Sequence, residues 1–163
     1  MTPKSMLRSK YAVSMPDDFT SGQWRPVLGD PTITDPSRVE AVIICSGKIR
    51  WELVAERGKR GLDGRIAILS LERFYPLPDE ALAAELEAYS HITTLRYVQD
   101  EPENQGAWSF LALHLPQAVS KHLGREITLQ PHTRPTASAP SVGSHKVHEA
   151  QARELFDAAL DLG

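Results

Sequence analysis

The chain has 163 residues and one cysteine, Cys45, so no disulfide can form within it and stability must come from packing. No apolar run approaches the length of a membrane span, and the first residues lack the apolar core of a secretory signal. These absences exclude a spanning helix and point to a cytoplasmic protein with no membrane partner. An excess of positive charge is missing too. Eighteen Lys and Arg against 21 Asp and Glu give a net charge of −3, which offers a nucleic acid polymer no whole-chain attraction. Metal-ligand spacing is absent as well: His145 and His148 stand three apart, but no third ligand accompanies them.

What is present is enough apolar sequence, 41% of residues, to build the core of one domain. Residues 1–37 carry Pro3, Pro16, Pro26, Pro31 and Pro36 and show no sustained period. They read as an extended interdomain lead-in outside the core. More than about 15 irregular residues is long for a plain connection, which suggests a segment that lies against something else. Residues 38–163 then read as an α/β domain.

That domain opens on Val39-Glu40-Ala41-Val42-Ile43-Ile44-Cys45, a run suited to a strand buried on both faces. Cys45 within it reads as a small inert hydrophobe and not as a nucleophile. Ser46-Gly47-Lys48 makes a tight turn into an amphipathic helix with Ile49, Trp51, Leu53, Val54 and Arg57, ending at Gly58. A turn of this kind exposes backbone N–H groups that favour an anion, yet every parallel strand-helix unit needs one, and the several glycines of a phosphate loop are lacking.

A second unit runs from Arg65 through Ile66, Ile68 and Leu69 to Pro76-Leu77-Pro78 and a helix with Leu82, Leu86 and Tyr89; Asp79 and Glu80 complement its dipole. The third has its strand at Leu95 to Gln99 and its helix at Trp108, Leu111 and Leu115, with Asn104 as a cap and Pro116 as a kink or the start of a second helix. Ile127 to Leu129 makes a short further strand. His132 to His148 reads as a small-residue loop, and the closing helix packs through Val147, Ala150, Leu155, Phe156, Ala159 and Leu160. Three strand-helix repeats predict right-handed crossovers and a three-layer α/β fold, a mostly parallel sheet with helices on both faces.

The polar residues support no catalytic set. Asp100, Glu101 and Glu103 lack a partner nucleophile or histidine. Arg134 with Ser138, Ser141, Ser144 and Lys146 suits a phosphate or carboxylate, or else Arg134 ties the loop to the sheet; both readings stand. Lys4, Arg8 and Lys10 give the lead-in a basic start that is either solvated or an anion contact.

Glu101-Pro102-Glu103-Asn104-Gln105-Gly106-Ala107-Trp108 resembles a signature near the end of the thiamine diphosphate-dependent decarboxylating component of 2-oxoglutarate dehydrogenase. Thr2 to Arg8, Phe19-Thr20, Ser46-Gly47-Lys48, Leu71-Glu72-Arg73 with Pro76-Leu77-Pro78, and Ser138-Ala139-Pro140-Ser141 through Lys146-Val147-His148 match in family order, closest to the actinobacterial type. Departures are Asp79-Glu80, where the family commonly has basic residues, and Ala150 between Glu149 and Gln151.

The resemblance implies a transketolase C-terminal-like domain of about five strands, within an oxidoreductase of the tricarboxylic acid cycle that turns 2-oxoglutarate into a succinyl-dihydrolipoyl product. It implies thiamine diphosphate and magnesium in the parent enzyme, and none bound by this chain, which lacks the Gly-Asp-Gly motif. The implied role is architectural, in a homodimer and against the catalytic domains of the same enzyme. An allosteric effector, acetyl-CoA or another nucleotide, is implied too, with Lys4, Arg8 and Arg134 as its cationic contacts. Ser46, Gly47, Lys48, Glu101, Pro102, Asn104, Gln105, Gly106 and Trp108 form the family signature, structural or interfacial. The competing reading is a stand-alone nucleotide or coenzyme A binding module that kept the fold without the enzyme. A neighbouring reading frame encoding the catalytic domains would separate the two.

Overall fold

The computed structural model describes residues 3–163; of the stretches discussed above, Met1 and Thr2 lie outside the described residues. A short helix α1 (Pro16–Thr20) precedes β1 (Val27–Leu28), β2 (Ala41–Cys45), α2 (Lys48–Lys59), β3 (Ile66–Leu71), α3 (Asp79–Leu86), β4 (Thr94–Pro102), α4 (Trp108–Leu123), β5 (Thr128–Arg134) and α5 (His145–Leu160). The strands form one sheet in the order β1-β3-β2-β4-β5, parallel except for β1 against β3. This is the α/β architecture expected from the three strand-helix repeats.

The continuous apolar run of β2 is explained by its central place. Val42 and Ile44 face the layer of α3 and α4, packing with Leu82, Leu86, Leu111 and Leu115. Ala41, Ile43 and Cys45 face the other way, with Ile49 and Leu53 of α2 and Leu155 and Ala159 of α5. The same alternation divides β3, Ala67 and Leu69 to one layer and Ile66 and Ile68 to the other.

The order of strands fixes where a site can form. From β2 the chain passes through α2 to β3 on one side, then α3 carries it back to β4 on the other side. The loops after β2 and β4 therefore leave the sheet in opposite directions and open a crevice between them at the carboxyl edge.

Several local expectations are corrected. Val27 and Leu28, read as outside the core, pair with Leu71 and Ser70, and Val27 is buried. Asp30 and Thr32 follow them inward to the guanidinium of Arg57, which also donates to Asp63 and to the carbonyl of Ile66. Buried charge draws this part of the lead-in onto the domain. Helix α2 passes Gly58 and ends at Lys59, and the chain reverses at Gly61, whose φ is 66°. Helix α4 is continuous across Pro116. The last strand reaches Arg134, five residues beyond the expected Leu129, and at the start of α5 Val147 and Ala150 are exposed.

Candidate functional site at the carboxyl edge

The crevice holds a cleft of about 650 Å³. Ser46, Gly47 and Lys48 form one wall, Gln99, Asp100, Glu101 and Gly106 the other, and Phe74, Tyr75, Tyr97 and Phe110 an aromatic side. It lies at the switch point that the topology defines.

The wall after β4 owes its shape to a slip in pairing. Val98 is opposite His132 and Pro102 opposite Arg134, so four steps along β4 match two along β5. Gln99, Asp100 and Glu101 occupy the slack, where the strand bends and re-aims its side chains. Gln99 then holds the turn. Its amide nitrogen donates to the carbonyls of Pro102 at 2.9 Å and Gln105 at 2.8 Å, and its oxygen accepts from the backbone N–H of Trp108 at 3.1 Å. That N–H is one of the unpaired donors at the start of α4, so the cap comes from the strand.

Asn104, expected to cap α4, does something else. Its side chain accepts from the N–H of Ala137 at 3.1 Å and donates to the carbonyl of Ala137 at 3.0 Å, and Gln105 donates to the same carbonyl. The signature loop is thereby stitched to the serine-rich loop. Trp108 stacks on Tyr97 with ring centres 6.0 Å apart, which backs the aromatic side. Burial pushes the Tyr97 hydroxyl well above its ordinary range, with Glu101 adding to the effect, so Tyr97 stays neutral.

Lys48 begins α2 behind Gly47, whose φ of 71° sets the turn. It pairs with Glu52 and lies 3.5 Å from Asp100 Oδ2. Burial pulls the ammonium down, but Glu52 and Asp100 outweigh it and hold its pKa above the usual lysine value. Desolvation likewise raises Asp100, and the bonds from Arg134 with the nearby Lys48 more than offset it, so its carboxylate titrates below its usual range.

Of the expected anion contacts Lys4, Arg8 and Arg134, the last is already paired within the fold. Arg134 is 5% exposed and all its nitrogens are engaged: Nε and Nη2 donate to Asp100, and Nη1 donates to the carbonyl of His148 at 3.0 Å. Lys4 and Arg8 sit exposed on a short 3₁₀ turn, while Ser138, Ser141, Ser144 and Lys146 are also exposed. Because β5 is longer than the sequence suggests, Arg134 belongs to the sheet, where a carboxylate already neutralises it. Of the signature residues, Ser46, Gly47, Lys48, Glu101 and Gly106 line the cleft, while Pro102, Asn104, Gln105 and Trp108 shape its wall.

The family model described as 2-oxoglutarate dehydrogenase C-terminal matches residues 13–160, which include both walls of the cleft. The chain belongs to this family. Among relatives, it is 44% identical over 163 residues to the multifunctional 2-oxoglutarate metabolism enzyme of Mycolicibacterium vanbaalenii, covering 98% of this chain and 13% of that protein. It is 38% identical to the 2-oxoglutarate dehydrogenase E1 component of Cupriavidus necator and 36% to the E1/E2 component of Corynebacterium glutamicum, covering 16% and 13% of those proteins. The chain thus spans a small part of the 2-oxoglutarate dehydrogenase proteins it matches. No helix among the described residues is long and apolar enough to cross a membrane.

For the thiamine diphosphate and magnesium that the family implies, the cleft offers Asp100 and Glu101 as its acidic side chains. Among the described residues no group of three His, Cys, Asp or Glu could hold a metal ion. Asp100 is committed to Arg134 and Lys48.

Proposed function

We propose that this chain is the C-terminal domain of the decarboxylating component of a 2-oxoglutarate dehydrogenase, with an architectural and regulatory role and no catalysis of its own. The observation that carries the reading is 38% identity, over 98% of this chain, to a 2-oxoglutarate dehydrogenase E1 component, together with a cleft lined by Ser46, Gly47, Lys48, Glu101 and Gly106. Decarboxylation of 2-oxoglutarate belongs, on this reading, to catalytic domains that hold thiamine diphosphate and magnesium. The lead-in and its exposed Leu7, Phe19 and Trp24 pack on those domains within a homodimer, in the cytoplasm.

The regulatory part of the proposal assigns the cleft to a nucleotide effector such as acetyl-CoA. Aromatic walls suit a base, and Lys48 at the start of the 12-residue α2 suits a phosphate. Such a ligand has to draw Lys48 away from Glu52 and Asp100. Calorimetric titration of thiamine diphosphate with magnesium into the isolated chain should show no binding, and a site tighter than millimolar overturns the domain reading. Titration of ADP should show a site that Lys48→Met weakens roughly tenfold, the size of one charge-assisted contact; an undiminished affinity removes the effector from this cleft.

A further inference from the structure

Asp100 divides one carboxylate between two cations that belong to different parts of the fold. Oδ2 lies 3.5 Å from Lys48 Nζ in the cleft. Oδ1 accepts from Arg134 Nη2 at 2.7 Å and Nε at 3.2 Å. The remaining arm of Arg134 leaves the sheet, donating through Nη1 to the carbonyl of His148 at 3.0 Å and reaching Gln151 Oε1 at 3.5 Å, both on α5. A continuous polar path therefore runs from the cleft to the first two turns of α5.

We propose that Asp100 is a positioning residue that couples the state of Lys48 in the cleft to the anchoring of α5, through Arg134. Two cations compete for one carboxylate. Whatever draws Lys48 away leaves Asp100 wholly to Arg134 and tightens the hold on α5; whatever drives Lys48 onto Asp100 loosens it. Arg134 is buried and fully engaged, so it transmits the change without an alternative partner in water. Glu52 is the third member, because it also pairs with Lys48, along α2. The device rests on the nucleotide reading of the cleft for its signal, but the coupling itself exists without a ligand.

Amide hydrogen exchange in residues 148–152 of the intact chain tests it, since exchange there reports local opening of α5. Lys48→Met should slow exchange about two- to fivefold, the scale of a partly exposed ion pair. Glu52→Gln, which turns Lys48 onto Asp100, should speed it by a similar factor, and Asp100→Asn should speed it further. Lys48 and Glu52 make no bond to α5, so a merely structural Asp100 predicts no effect from either. Changes of the same sign, or none, in the Lys48 and Glu52 variants overturn the coupling even if Asp100→Asn loosens α5. ADP added to the wild type should reproduce the slowing seen for Lys48→Met. Opposite-signed variants with no ADP binding keep the coupling and overturn the nucleotide reading alone.

Discussion

Gln99 Oε1 occupies the space that a side chain at Gly106 would need: a β-carbon on Gly106 falls 2.7 Å from that oxygen. Gly106 also has a φ of 65°, where an L side chain is strained. Gly106→Ala should therefore cost about 1–2 kcal/mol from the left-handed backbone alone, and more from displacing Gln99. Adding Gln99→Ala to Gly106→Ala should remove the steric part and leave the backbone part, so that the double variant is less destabilised than the sum of the two singles. Denaturant unfolding of the four proteins decides it; strict additivity would show that the clash is relieved elsewhere.

The Asp30–Arg57 pair joins the lead-in to the domain, and both side chains are nearly inaccessible, at 3% and 1%. Asp30 also accepts from the backbone N–H of Ile68 at 2.9 Å. Replacing Asp30 by Ala should cost roughly 3–5 kcal/mol, because it leaves a buried guanidinium short of its counter-charge. Burial raises the pKa of Asp30, but the Thr32 hydroxyl, Arg57 and the Ile68 N–H together bring it below the usual value. A depressed carboxylate contributes stability that is fully present above its unfolded pKa of about 3.9 and is lost as pH falls through the folded value. Wild-type stability should fall on acidification below about pH 4, and Asp30→Asn should flatten that slope. An unchanged slope would assign acid sensitivity to other carboxylates, Asp100 first.

The strands β2 and β3 are buried on both faces, so their apolar runs announced them, and the repeats with their helices gave the layers. Strand β5 is longer than its sequence suggests because it is an edge: all of Thr128 to Thr133 is exposed or half-buried, Pro131 interrupts it, and no apolar alternation survives. Its unseen length moved Arg134 from a loop into the sheet. The signature loop was visible as a motif, but the part played by Gln99 was not, since a polar residue ending a strand ordinarily meets water. Its only signal is position: Gln99 is a polar residue following the apolar Tyr97 and Val98, and it is 3% exposed. Phe74, Tyr75 and Phe110 come together through topology alone, and Arg57 finds Asp30 across 27 residues. No local pattern encodes such pairs.

Cys45 is fully buried, and its thiol points to the carbonyl of Leu69 at 3.5 Å. Burial pushes its pKa up to about 12, against a smaller opposing effect of Arg50. The thiolate is the reactive form, so a thiol reagent at pH 8 should label the native chain only as fast as it opens. Labelling should be complete within minutes in denaturant. Rapid native labelling, independent of stability, would place Cys45 in a mobile part of the fold and contradict its position at the centre of the sheet.

The lead-in leaves Leu7 76%, Val13 69%, Met15 71%, Phe19 80% and Trp24 65% exposed. Apolar exposure on that scale within 18 residues marks a contact surface. Burying one Leu or Phe contributes about 1.5–3 kcal/mol, whereas association costs at least 4 kcal/mol or so in lost freedom. Two or three of these residues must then be covered together before the isolated chain associates at all. Sedimentation velocity should show concentration-dependent association, and Phe19→Asp should weaken it by about ten- to a hundredfold, the equivalent of one buried aromatic. Adding the catalytic domains of the parent enzyme should replace self-association by a defined complex, since they offer the same residues a fitted surface. A chain that stays strictly monomeric at high concentration, and that the catalytic domains do not bind, would remove the lead-in from any interface and with it the architectural role.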